Sequence, residues 1–201
     1  MSKIYLFPLP VRIWHWINAF VIIILVITGI QLRMPSFQIF ANYRDAVLVH
    51  KYFGFVMSVS FLFWFLYYLF TGGLKKHYLI GIKDIKAIPD QVIYYVLYIF
   101  KGKRNPFTPS TENKFNPMQK LAYSLVMFVF TPVMIFTGIL FSDIIFFFSW
   151  IKFLGGLRVI DAIHVAIAYS FVFYLFVHLY MATLGQKLNS HIKSMITGYD
   201  E

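Results

Sequence analysis

The sequence predicts an all-α integral membrane protein: a bundle of four transmembrane helices with one short additional helix in the cytoplasmic interface. Three observations predict it. The chain of 201 residues is 60% hydrophobic and 21% aromatic but only 13% charged, far outside the range of an ordinary soluble domain. Apolar runs of about twenty residues, the length that crosses a hydrocarbon core, recur between short polar stretches. The formal net charge of +10 comes from basic residues flanking those runs, which argues for a membrane lipid surface and against nucleic acid.

The spans are expected at about 14–34, 47–70, 117–141 and 159–184, within a single domain covering 1–201. The first run passes Ile30 without a small-x-small cleavage site, so it reads as a retained helix rather than a signal peptide. A fifth apolar stretch, 91–100 (QVIYYVLYIF), is too short to span and is placed on the membrane surface. Pro132 is expected to bend the third span.

Four crossings put the N-terminus, the 71–116 loop and the C-terminal tail on one side. That side carries thirteen Lys and Arg residues, Lys3 and Lys187 among them, against five on the other. The imbalance makes the 71–116 loop and both termini cytoplasmic.

Cysteine is absent, which excludes disulfides, thiolate-ligated iron–sulfur clusters and covalent c-type haem. Histidine is the remaining ligand for a redox cofactor, and four of the six histidines, His15, His50, His164 and His178, fall in or at the ends of spans. Ionisable residues at membrane depth are rare and usually functional. His164 and His178, 14 residues apart in the sequence, return to within about 40° of the same helix face some 21 Å apart. The topology then pairs His15 with His178 at the cytoplasmic side and His50 with His164 at the outer side. Two pairs of neutral imidazoles suit two low-spin b haems, electron-transfer cofactors with no open coordination position.

Small residues accompany the ligands. Gly29 lies 14 residues beyond His15, at the depth of the other haem, while Gly54, Ala168 and Ala182 each follow a proposed ligand by four, removing bulk beside it. Arg12, Lys51 and Arg158 lie where haem propionates need cations. Val26-Ile27-Thr28-Gly29-Ile30 is echoed by Ile135-Phe136-Thr137-Gly138-Ile139, read as ordinary helix packing at small residues. His77 and His191 are expected to be solvated.

Together Arg12-Ile13-Trp14-His15-Trp16, Thr28-Gly29, His50-Lys51-Tyr52-Phe53-Gly54, Phe115-Asn116-Pro117-Met118-Gln119-Lys120 and the His164/His178 pair cover nearly the whole chain. On these motifs the sequence resembles the di-haem cytochrome b subunits of bacterial membrane-bound formate dehydrogenase, nickel-iron hydrogenase and thiosulfate reductase. The resemblance implies haem ligation by the four histidines and a quinone, menaquinone or ubiquinone, bound near Asn116, the Met118 backbone and Gln119. It also implies an iron–sulfur subunit and a catalytic subunit at the outer face of a bacterial or archaeal cytoplasmic membrane. Read from the residues alone, Asn116-Pro117 is a helix N-cap followed by proline in the first turn.

Two other readings stand beside this one. Some small four-helix di-haem cytochromes that the chain resembles are self-contained superoxide:quinone oxidoreductases, and Lys51 and Arg158 offer an anion a positive approach. A haem-free transporter or anchor is disfavoured by the sparse polar lining of the spans. No nucleotide-binding glycine pattern and no nucleophile arrangement is present, so catalysis on a soluble substrate is expected elsewhere.

Overall fold

The computed structural model describes residues 4–184 and 189–200; Lys3 and Lys187 lie outside them. Four helical stretches, Leu9–Arg33, Tyr43–Phe70, Pro117–Ser142 and Leu157–Ala182, are long and apolar enough to cross a membrane. Their apolar windows are only 11–28% buried inside the protein. Side chains such as Phe63, Phe70, Phe173 and Phe176 therefore point outward, as expected where lipid is the solvent and every backbone group is satisfied within its helix.

A two-residue strand β1 (Ile4–Tyr5) precedes α1 (Leu9–Arg33), whose first turn contains proline, a position where the missing N–H costs nothing. Gln31 is buried and acts as a backbone surrogate beyond the helix end. Its Nε2 donates to Phe40 O at 2.8 Å, while Oε1 accepts from the N–H groups of Ile39 and Phe40. Those bonds hold the turn that leads into α2 (Tyr43–Phe70).

After α2 the chain turns at Gly72, whose φ of 71° favours a residue without Cβ, into a wide helical turn at Leu74–Tyr78. Helix α3 (Ile82–Ile93) then runs on through a wide turn at Tyr94–Tyr98 and a tight one at Ile99–Lys101. The surface helix placed at 91–100 thus starts about two and a half turns earlier than its apolar run, because Gly81 and Asp84 cap the helix: Gly81 N–H donates to Asp84 Oδ2 at 2.9 Å.

The third span is α4 (Pro117–Leu125), a wide turn at Val126–Phe130, and α5 (Thr131–Ser142). The wide turn directly precedes Pro132 and relaxes the clash its ring would make with the preceding turn. Helix α6 (Phe148–Phe153) is a short cap at the far end. Gly155 and Gly156, with φ of 99° and 91°, turn the chain into α7 (Leu157–Ala182). Helix α8 (Ser190–Thr197) and strand β2 (Tyr199–Asp200) close the chain, with β2 pairing antiparallel to β1. The two ends therefore share one face, called here the terminal face, with 71–116.

Helix α1 packs along α2, α2 meets α5, and α5 meets α7. Among the described residues, α7 makes no comparable contact with α1 or α2. An aromatic cluster around Trp64, Tyr68 and Tyr78 fills the terminal half of the core. A polar clasp lies beside it: Asn18 Nδ2 donates to Ser60 Oγ at 2.6 Å and Trp14 Nε1 to Ser60 O at 3.0 Å, locking α1 to α2.

Candidate functional site

The four intramembrane histidines come together as two pairs across the space where α7 stands off from α1 and α2. His15 of α1 faces His178 of α7 near the terminal face, with ring centroids 6.1 Å apart. His50 of α2 faces His164 of α7 near the far face, at 6.4 Å. All four side chains are partly buried. A metal–nitrogen bond of about 2 Å on each side, plus about 1 Å from nitrogen to ring centre, separates two imidazoles on one iron by roughly 6 Å. Both pairs meet that spacing. Among the described residues no group of three or more His, Cys, Asp or Glu is placed to hold a bare metal ion, so the donor set suits a cofactor that needs only two axial ligands.

The Thr-Gly echo, read from sequence as ordinary packing, proves to seat histidines. Thr28 Oγ1 lies 2.8 Å from His50 Nδ1, and Thr137 Oγ1 lies 2.8 Å from His164 Nδ1. The following glycines face the same rings: a Cβ on Gly29 would touch His50 Cε1 at 3.5 Å, and one on Gly138 would touch His164 Cε1 at 3.7 Å. A side chain larger than alanine would compete with the imidazole for that space. At Gly54 a Cβ would meet nothing within 4 Å, which leaves the room expected beside a ligand.

Of the cations expected near the cofactor, two are engaged elsewhere. Arg12 Nη1 donates to Ile196 O, joining α1 to α8. Lys51 Nζ donates to Ser142 O at 2.8 Å at the far face. Arg158 is exposed at the start of α7, and Arg33 instead reaches Asp161, three residues from His164, at 3.3 Å.

Asn116 is the N-cap of α4. Its Oδ1 accepts from Gln119 N–H at 2.9 Å, and Gln119 Oε1 accepts from Asn116 N–H at 3.0 Å, a reciprocal capping box. Asn116 Nδ2 donates to Tyr95 OH at 3.0 Å, so its side chain has protein partners at both ends. Met118 is half-buried in the same turn. From this cap a chain of aromatic contacts leads to the terminal-face histidine pair. Phe115 meets Tyr123 at 4.7 Å, Tyr123 meets Tyr174 at 6.5 Å, and Tyr174 stacks on His178 at 5.8 Å.

His77 corrects the sequence reading. Expected in solvent, it is 5% exposed, with its ring against Phe115 at 6.4 Å. Desolvation by burial, reinforced by the ammonium groups of Lys114, Lys76 and Lys120 and opposed by Glu112, lowers its pKa from 6.5 to about 4. The wide turn at 74–78 lays this residue under the 110–116 segment, an arrangement that hydropathy does not encode. His191 is exposed, as expected.

The family model for prokaryotic cytochrome b561 matches residues 6–198, which takes in all four spans. The chain belongs to the prokaryotic cytochrome b561 family. A putative cytochrome, YdhU, of Escherichia coli K12 is 31% identical over 98% of this chain and 75% of its own length. A probable nickel-iron hydrogenase B-type cytochrome subunit of Cupriavidus necator is 24% identical over 97% of the chain and 86% of its own length. The cytochrome b556 subunit of an Escherichia coli K12 formate dehydrogenase is 32% identical over 39% of each chain. This cytochrome is accordingly a multi-pass membrane protein of a family whose cofactor is haem b, and its histidine pairs fit that group.

Several residues of the cytochrome's site carry no sequence signal of their own. Tyr123 and Tyr174 are two aromatics among many. The buried ion pair of Lys120 with Asp84, at 3.0 Å, joins residues 36 positions apart. Only Thr28 and Thr137 advertised themselves, by occurring twice in the same pentapeptide context.

Proposed function

We propose that this chain carries electrons across a bacterial or archaeal cytoplasmic membrane on two b haems, linking an outer-face partner to the quinone pool. His15 with His178 would hold one haem and His50 with His164 the other. The observation that carries the reading is the pair of imidazole couples at 6.1 and 6.4 Å, set at opposite ends of one bundle. The haems supply one-electron redox chemistry. The chain's residues hold the ligands at fixed depth, exclude water with apolar side chains, seat the His50 ring against Gly29 and leave space beside Gly54.

The terminal face, with both chain ends and the 71–116 segment, is cytoplasmic on the Lys and Arg balance. Quinone binds there, beside Asn116, Met118 and Gln119. The aromatic contacts from Phe115 through Tyr123 and Tyr174 to His178 support that position by joining the α4 cap to a ligand. Arg12, three residues before His15, would give up its bond to Ile196 to meet a propionate. Relatives named as hydrogenase and formate dehydrogenase cytochrome subunits support a partnership with an iron–sulfur electron-transfer subunit and a catalytic subunit at the outer face.

Purification in mild detergent, with a reduced-minus-oxidised spectrum and haem per polypeptide, tests this directly. Two b haems are expected in the wild type, with one lost or spectrally altered in each of His15→Ala and His164→Ala. A folded, colourless protein would overturn the proposal.

A further inference from the structure

The two histidine pairs differ in what stands behind them. At the far pair, each Thr hydroxyl also lies against a carbonyl of its own helix: Thr28 Oγ1 donates to Ile24 O at 2.7 Å, and Thr137 Oγ1 to Val133 O at 2.8 Å. A hydroxyl has one proton, and that proton is committed to the carbonyl. The short contact to the imidazole is therefore a bond in which Nδ1–H donates and the hydroxyl oxygen accepts. That places the proton of both rings on Nδ1 and leaves Nε2 with a free lone pair, as a metal ligand requires. At the near pair, the one by the terminal face, no such fixture is found among the described residues. His15 Nδ1 is buried and, among the described residues, has no hydrogen-bond partner, while His178 is backed by the stacked ring of Tyr174.

An N–H that donates a hydrogen bond leaves its imidazole a stronger donor through the opposite nitrogen. Stronger donation favours the oxidised iron and lowers the midpoint potential. We propose that Thr28 and Thr137 are positioning residues for a haem held by His50 and His164, and that their hydrogen bonds give this far site the lower midpoint potential of the two. This rests on the two-haem reading above. The asymmetry makes transfer from the far pair to the near pair the downhill direction inside the bundle. The adjoining glycines belong to the same device, because they let each ring approach the neighbouring helix closely enough to reach its hydroxyl.

The test is an optical redox titration with low-temperature electron paramagnetic resonance on purified Thr28→Val, Thr137→Val, Thr28→Ser and Thr137→Ser proteins. The far component is identified as the one lost in His164→Ala. Each valine variant, nearly equal in shape to threonine, is expected to move the far component to higher potential and change its low-spin signal, with the near component unmoved. Serine is expected to restore both readouts. Loss of the far haem alone in a valine variant also supports positioning, since the ring has then lost its orientation. The proposal is overturned if two haems are bound and the valine variants leave both potentials in place, or if only the near component moves. A wild-type protein with fewer than two haems would instead overturn the two-haem reading on which the proposal stands.

Discussion

His77 shows how much one side chain can couple folding to acidity. Its folded pKa of about 4 lies below the ordinary 6.5, so the unfolded chain binds the proton first as pH falls. The stability it contributes is complete above about pH 6.5 and is lost progressively down to about pH 4, by no more than roughly 3 kcal/mol. Thermal unfolding in detergent from pH 7.5 to 4 should therefore show a steeper loss in the wild type than in His77→Gln. Equal slopes would mean that the ring is wet after all. Gln31 makes a complementary case, since its three bonds are to backbone groups of one turn. Gln31→Ala leaves those groups without partners, and a loss of about 1–3 kcal/mol is expected, read as a lowered melting temperature.

At the scale of elements, the long helices were legible and their attachments were not. Span positions follow from apolar length, which the membrane imposes on every crossing alike, so the expected 117–141 became Pro117–Ser142. The pairing of His15 with His178 and of His50 with His164 followed from helical pitch and topology. What hydropathy could not supply was the polar bonding and packing that fix short elements: the capping of α3 by Asp84, the burial of His77, and the strands at the two ends. The Thr-Gly echo was visible, but its meaning depends on which ring lies opposite, which only packing decides.

The same attachments make α3 and α4 a unit. Asp84 would resist ionisation by burial, but the Gly81 N–H and the Lys120 ammonium outweigh that and hold its carboxyl below the usual range. Lys120 and Asp84 are 8% and 14% exposed in their side chains, so removing one partner strands the other. Lys120→Met is expected to lower stability by about 3–5 kcal/mol, and the double variant Lys120→Met with Asp84→Leu to recover much of it. If the single and double variants melt alike, the pair is not the tie between these helices.

Across the whole molecule, three helix-to-helix contacts and one open seam describe the bundle. Helix α1 packs on α2 and α5 on α7, with α2 and α5 in contact between them, whereas α7 meets α1 and α2 chiefly through facing imidazoles. A four-helix protein built this way presents apolar rings to lipid almost everywhere and keeps its polar groups for the seam, the α1–α2 clasp, the helix caps and the terminal face.

The pairing of β1 with β2 brings Ile4 and Tyr5 alongside Asp200 and Tyr199, so the polypeptide traces a nearly closed ring of four crossings. Such a ring has no preferred place to be cut. Joining the native ends with a short linker and opening the chain between Lys103 and Arg104, both exposed, would keep the new ends on the same face, since 71–116 lies there too. Circular permutation at this point should therefore preserve the orientation of every helix while reversing the order in which the two halves of the bundle leave the ribosome.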